Sequence, residues 1–301
     1  IPAIMAARNI ESWKERLITI LVTPFTTCSA RIPVYAIIIS LVIPNRQIGG
    51  GLLNLQGVTL MLLYLIGFAA AIMAAAVLNK TLKIKSKSYF VIEMPDYRLP
   101  LFKNVLYQII EKTKAFVYGA GKIILAISIL LWVLASYGPT KDFSNAEEIV
   151  KNEYGSVKDI DAKIAAHKLE NSYIGILGKS IEPVIEPLGY DWKIGIALIT
   201  SFAAREVFVG TLATIYSVGS EEEASIKSKM QKERHTLSGK PVYNLASGIS
   251  LLLFYAFAMQ CMSTLAIVKR ETNGWKWPML QLVSMTIIAY LSALVAFQFL
   301  K

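Results

Sequence analysis

The chain has 301 residues, 54% hydrophobic and 17% charged, with a net charge of +10. Soluble domains carry about 25% charged residues, so the composition argues against a water-soluble globular protein, and two cysteines are too few for a disulfide-stapled scaffold. The cationic surplus is not a nucleic-acid footprint, because it is unevenly placed: residues 80–122 hold nine Lys/Arg against three acids, while residues 138–193 hold seven lysines against ten acids. Such asymmetry between loops is what the positive-inside rule produces, with contact to anionic lipid as a further consequence.

In chain order, Ile1 to Ala7 has neither the basic start nor the cleavage site of a signal peptide. It reads as the tail of an apolar segment, and the sequence is expected to be part of a longer polypeptide. Apolar runs long enough to cross a bilayer, which takes roughly 20 residues, are expected at 17–43, 52–78, 119–137, 192–217, 243–268 and 277–300. Pro44, Asn45 and Gly49 to Gly51 form a turn between the first two. Glu93 to Pro100, with two prolines, is expected to be extended. From Leu101 to Tyr118, charges recur at helical spacing among apolar residues, which predicts an amphipathic helix at the membrane interface. The polar stretch 138–191 predicts short helices at Ala146–Tyr154 and Ile160–Leu169, and Glu221 to Lys232 a solvated helix with i,i+4 ion pairs. Trp275 and Trp277 sit where an aromatic belt belongs. With the basic loop in the cytoplasm, 138–191 lies outside. The fold class is therefore an all-α polytopic bundle of about six spans.

Three segments could carry chemistry. In the first span, Cys28, Arg31 and Tyr35 are spaced to share one helical face, with Ser29 beside them and Pro24 and Pro33 on either side. Proline frees a backbone carbonyl one turn earlier, and a bilayer tolerates that only against protein or a wet cavity. A break at Cys28 is expected, with a Pro-kinked helix and an inert buried thiol as the alternative. In the fourth span, Ala-Arg recurs at Arg205, followed by Glu206, with Ser201 and Thr211 near the arginine's face. An arginine at the centre of an apolar span must face a polar interior. Two in matching contexts point to a repeated transporter with a midplane site. Arg31 is a candidate partner for Glu206; otherwise the arginines hold broken-helix carbonyls, or simply fix helix packing. In the fifth span, Cys261 and Thr264 share a face, with Gln260 and Ser263 alongside. Thiol ligands suit soft or borderline metals. His167 and His235 fall in loops, and no phosphate-binding loop, catalytic triad or dinucleotide fingerprint is present. A fainter likeness joins Pro2–Trp13 to Leu265–Trp275.

Four stretches in order resemble the membrane region of the FeoB family of bacterial ferrous iron transporters. They are Pro24 to Tyr35, Glu93 to Pro100, Ala203 to Thr211 and Gln260 to Thr272. The resemblance implies an importer of Fe²⁺ in the bacterial inner membrane, built on two inverted Gate repeats. The repeats are expected at 1–137, N-terminally incomplete, and 192–301, with 138–191 as a periplasmic loop region. It implies Cys28 and Cys261 as iron ligands, with Ser29, Arg31, Pro33, Tyr35, Ser201, Arg205, Glu206, Thr211, Gln260, Ser263 and Thr264 along the path or supporting the gate. Family members carry an N-terminal G domain for GTP and Mg²⁺ and a helical regulatory domain. Neither is in this sequence, so no enzyme activity and no bound nucleotide or cofactor is expected here. Partners implied are that G domain, small cytoplasmic Feo proteins and the lipid bilayer, with a homo-oligomer left open and no nucleic acid. The alternatives are a Gate-fold carrier of nucleosides or other small organic solutes, and a membrane scaffold whose polar pairs only fix packing.

Overall fold

A computed structural model describes residues 2–48, 53–82, 101–116, 118, 122–139, 143, 145–154, 164, 167–202, 205, 207–216, 230, 234, 241–258 and 262–301. α1 (Pro2–Ala6) leads through a short turn into α2 (Trp13–Val22), where the Ser12 side chain accepts from the Glu15 N–H. Pro24 has no N–H to continue α2. The chain tightens into a 3-10 turn at Thr23–Phe25, runs extended through Cys28, and makes a second 3-10 turn at Ser29–Arg31. α3 (Ile32–Val42) follows, with Pro33 in its first turn, where no helix bond is lost.

A two-residue ladder, β1 (Gln47–Ile48) against β2 (Leu53–Asn54), turns the chain into α4 (Leu55–Thr81), which Asn54 caps. At 1.5 Å per residue, its 27 residues exceed the ~30 Å hydrocarbon core. α5 (Phe102–Phe116) is the expected amphipathic helix, and α6 (Lys122–Ser136) lies where the third span was expected but, at 15 residues, is shorter than a bilayer crossing needs. α7 (Ala146–Tyr154) forms as expected, whereas α8 (Tyr173–Ile185), capped by Ser172 and carrying Pro183, was not anticipated. α9 (Trp192–Ser201), capped by Asp191, and α10 (Val207–Tyr216) come next. α11 (Leu245–Phe257) opens on a capping box between Asn244 and Ser247. α12 (Met262–Thr272) and the 25-residue α13 (Lys276–Leu300) complete the chain. The expected turn at 49–51, the extended stretch 93–100 and nearly all of the expected helices at 160–169 and 221–232 lie outside the described residues.

Among the described residues, four segments are long and apolar enough to span a membrane: Trp13–Val42, Leu55–Thr81, Leu245–Thr272 and Lys276–Leu300. The chain is an all-α, multi-pass membrane bundle. The expected span 192–217 is instead folded on itself. Thr200 and Thr211 hydroxyls are 2.9 Å apart, whereas eleven residues of straight helix would separate them by about 16 Å. α9 and α10 thus form a helical hairpin, turning between Ser201 and Val207.

Cross-chain contacts fix the direction of every span. Arg16 bonds Glu271, so the start of α2 and the end of α12 share one face. At the opposite face, Gln56 Nε2 donates to Ile43 O, joining the start of α4 to the end of α3. Gly248 meets Val42 so closely that a Cβ there would collide with it, which puts the start of α11 at that face too. Ser250 Oγ donates to Ala293 O, tying the start of α11 to the end of α13. Therefore α2–α3 runs antiparallel to α4, and α11–α12 runs antiparallel to α13, in opposite senses. Each unit is one broken span beside one unbroken helix, and the two units are inverted. Between them a core of Tyr35, Ile38, Phe208, Leu212, Leu251 and Tyr255 joins α3 to the hairpin and α11.

Candidate transport site at the broken helices

The breaks create orphan carbonyls, and buried polar side chains reach them. Pro24 frees Ile20 O, and the Gln281 amide, 2% exposed on α13, donates to Leu21 O at 3.0 Å and Ile20 O at 3.5 Å. Arg31, fully buried, donates to Pro24 O at 3.1 Å, Thr26 O at 3.4 Å and Phe25 O at 3.5 Å. It therefore closes the break of its own segment. Arg205 reaches across from the hairpin turn to the end of α11, donating to Tyr255 O at 3.1 Å and Ala258 O at 2.7 Å. Its guanidinium also lies 5.6 Å over the Tyr255 ring. A helix C-terminus carries partial negative charge, so both arginines find an electrostatic partner in backbone. Ala258 leaves α11 with φ −55° and ψ 145°, and α12 restarts at Met262, whose N–H donates to Phe202 O in the hairpin turn.

Cys28, Arg31 and Tyr35 do not share a continuous helical face, as their spacing had implied. Pro24 ends the helix before them, and Cys28 sits in extended backbone at φ −93°, ψ 158°. The three still gather at one place, with Arg205 close by. The Cys28 thiol is free and half-buried. The Tyr35 hydroxyl is buried and does not meet hydrogen-bond geometry with any described residue. Ser29 and Pro33 are exposed. Ser201 Oγ is turned back onto Leu198 O, Thr211 is held by Thr200, and Ser263 and Thr264 are buried in the first turn of α12. Glu206, Gln260 and Cys261 lie outside the described residues, and with them the expected Arg31–Glu206 pairing. Among the described residues no three His, Cys, Asp or Glu side chains converge as a closed metal site.

The matching Ala-Arg contexts do not mark equivalent positions. Arg31 belongs to a broken span and Arg205 to the hairpin. The inverted counterpart of the break at Cys28 is the interval between α11 and α12, where the sequence places Cys261. A cavity of about 390 Å³ opens beside the hairpin, lined by Ser201, Phe202, Arg205, Phe254, Tyr255 and Ala258 among others.

Sequence reasoning missed three groups. Gln281 was signalled by being the lone amide in the first half of an apolar helix. Tyr255, 2% exposed, looks like an ordinary core aromatic in sequence. Glu271, with a side chain only 1% exposed, binds Arg8 through Nε at 2.8 and 2.9 Å and Arg16 through Nη2 at 3.0 Å. The carboxylate holds the Arg8 guanidinium above its ordinary pKa. Pro2–Trp13 and Leu265–Trp275, which look faintly alike in sequence, are the segments this cluster joins.

Comparison with known proteins places the chain in a family. Residues 117–275 match the Gate family, described as nucleoside recognition, and residues 60–112 match the family described as the ferrous iron transport protein B C terminus. A Leptospira interrogans protein named Fe(2+) transporter FeoB is 46% identical over 99% of this chain and 41% of its own length. Its Methanocaldococcus jannaschii namesake is 34% identical over 98% of this chain and 39% of its own. A Porphyromonas gingivalis protein named Fe(2+) transport protein A/Fe(2+) transporter FeoB fusion protein is 32% identical over 97% of this chain and 35% of its own. The chain thus spans about two fifths of the length of these curated relatives. No solved structure matches it. By these matches the chain belongs to the Gate family, and it is similar to the curated FeoB transporters along nearly its whole length.

Proposed function

We propose that this chain is the membrane permease portion of a ferrous iron importer, passing Fe²⁺ through a site at the two chain breaks. The observation that carries the reading is the inverted pair of breaks, each with a cysteine in its interval, at Cys28 and Cys261. Ferrous ion must shed water to cross, and thiols suit a borderline metal. The carbonyls of Pro24, Phe25 and Thr26 are engaged by Arg31, so ligands at the first break fall to the Cys28 thiol and neighbouring hydroxyls. Arg31 and Arg205 hold the open helix ends in shape and place their charge on backbone carbonyls rather than on the ion. Ser29, Pro33, Tyr35, Ser201, Glu206, Thr211, Gln260, Ser263 and Thr264 line or support the path.

The same reading places the repeats at 1–137 and 192–301, and the basic 80–118 region on the cytoplasmic side of a bacterial inner membrane. Regulation falls to a G domain elsewhere in the longer protein, with GTP and Mg²⁺ bound there rather than here. The fused Porphyromonas relative supports a small Feo protein as partner.

A second cargo, a nucleoside or similar solute, draws support from the cavity of about 390 Å³ with its aromatic walls, a size within the ~300–1,000 Å³ of small-molecule sites. The test is uptake by cells that lack other ferrous importers and express the full-length protein. Accumulation of labelled Fe²⁺ with no accumulation of labelled nucleoside supports the iron reading. The reverse pattern overturns it.

A further inference from the structure

A second cavity, about 440 Å³, lies away from the hairpin, between α2, α4, α11 and α13. Its walls include Leu21, Phe25, Ala74, Val77, Phe257 and Met285. The nearby donors are committed elsewhere: the Gln281 Nε2 amide donates to Leu21 O and the Ser284 hydroxyl to Gln281 O, while Gln281 Oε1 is buried without a hydrogen-bond partner among the described residues. The cavity opens sideways past Met73, Val77, Leu280 and Ile288, which are 63%, 60%, 47% and 41% exposed on the lipid-facing side of a membrane bundle.

Its long axis has a definite polarity. α4 ends and α13 begins at the face where Arg16 meets Glu271, so Val77, Leu78 and Leu280 line the end nearest that face. Just beyond them stand exposed Lys80 and Lys276. Trp275 and Trp277 flank the same rim, with Lys269 Nζ 4.1 Å over the Trp275 ring and Lys276 Nζ 5.9 Å over the Trp277 ring. This is also the face from which the basic residues 80–122 depart, the cytoplasmic one by the positive-inside rule. An apolar slot under an aromatic and cationic rim matches a lipid whose tail is apolar and whose head is anionic, the lipid chemistry of that leaflet.

We propose that this groove binds one acyl chain of an anionic phospholipid from the cytoplasmic leaflet, with the headgroup held by Lys80 and Lys276. The chain then rests against Phe25 and Phe257, the residues beside both breaks. Phe25 O accepts from Arg31, and Phe257 precedes Ala258, whose carbonyl accepts from Arg205. The lipid is thereby a component of the wall that supports both breaks, and its binding does not depend on which cargo crosses.

The experiment uses full-length protein in phosphatidylcholine nanodiscs doped with phosphatidylglycerol carrying a photoreactive group midway along one acyl chain. A matched phosphatidylcholine probe serves as control. The expected result is crosslinking at Met73, Val77 or Met285 by the phosphatidylglycerol probe, well above that by the control. Ala74→Phe, which fills the slot, abolishes it. Lys80→Ala and Lys276→Ala, both at exposed positions, each lower the headgroup preference roughly fivefold while the protein stays folded. Equal labelling by the two probes overturns the proposal. So does protection of these residues from both probes, which would mean that another segment of the longer protein or a second copy fills the groove.

Discussion

Arg205 Nη2 donates to Ala258 O at 2.7 Å, joining residues 53 positions apart, from the hairpin turn to the interrupted end of α11. Together with its bond to Tyr255 O, this makes one guanidinium the cap of a helix that stops inside the membrane. Lysine presents a point charge rather than a planar fork and cannot reproduce both bonds. Arg205→Met leaves two buried carbonyls unpaired and is expected to destabilise the bundle by about 2–5 kcal/mol. Arg205→Lys should recover part of that loss. Thermal unfolding of the purified protein in detergent checks the order wild type, Lys, Met.

Gln281→Leu should cost about 1–3 kcal/mol, because the substitution keeps the volume but strands Ile20 O and Leu21 O beside Pro24. Pairing it with Pro24→Ala tests the cause. If alanine restores a donor for Ile20 O, the second substitution recovers much of the loss in the same unfolding assay.

Gly67 lets α4 approach the first break, where a Cβ would lie 3.1 Å from Phe25 O and 3.5 Å from Thr27 Oγ1. Gly67→Ala is expected to be tolerated with a small shift, whereas Gly67→Leu forces the break aside at about 1–3 kcal/mol or more. Accessibility of the Cys28 thiol to a maleimide reads that displacement: unchanged for alanine, altered for leucine.

The arginine pair, the prolines and Cys28 were legible because polar and kinking residues are rare in apolar runs and stand out against them. The amphipathic α5 was legible from its spacing. The hairpin was not, since 192–217 has the length and hydropathy of a plain span, and the Thr200–Thr211 contact reveals the fold-back. The one-face grouping of Cys28, Arg31 and Tyr35 failed for a related reason: helical spacing was carried through a proline that ends the helix. Arg31 and Arg205 look like repeats because each must sit beside exposed backbone at mid-depth, a shared physical need rather than equivalent position. Glu271 lay hidden because its partners, Arg8 and Arg16, are about 260 residues away.

Those partners make a further prediction. Glu271→Gln leaves Arg8 and Arg16 without a counter-charge and loosens α1 and α2 from α12. Arg8, which holds Glu271 through both Nε and Nη2, should couple to it more strongly than Arg16, which meets the carboxylate through Nη2 alone. Double-mutant cycles of Glu271→Gln with Arg8→Ala and with Arg16→Ala give the two coupling energies directly.

On the proposed function, Fe²⁺ passes the break at Cys28. The measurement that tests it is labelled Fe²⁺ uptake by the full-length protein and its Cys28→Ser variant, at matched membrane expression and matched unfolding temperature, in cells without another ferrous importer. Serine keeps the size and the extended backbone and removes only the soft ligand. Uptake is expected to fall to background in the variant while the protein remains folded. Uptake equal to wild type would contradict this reading and leave Cys28 a packing residue.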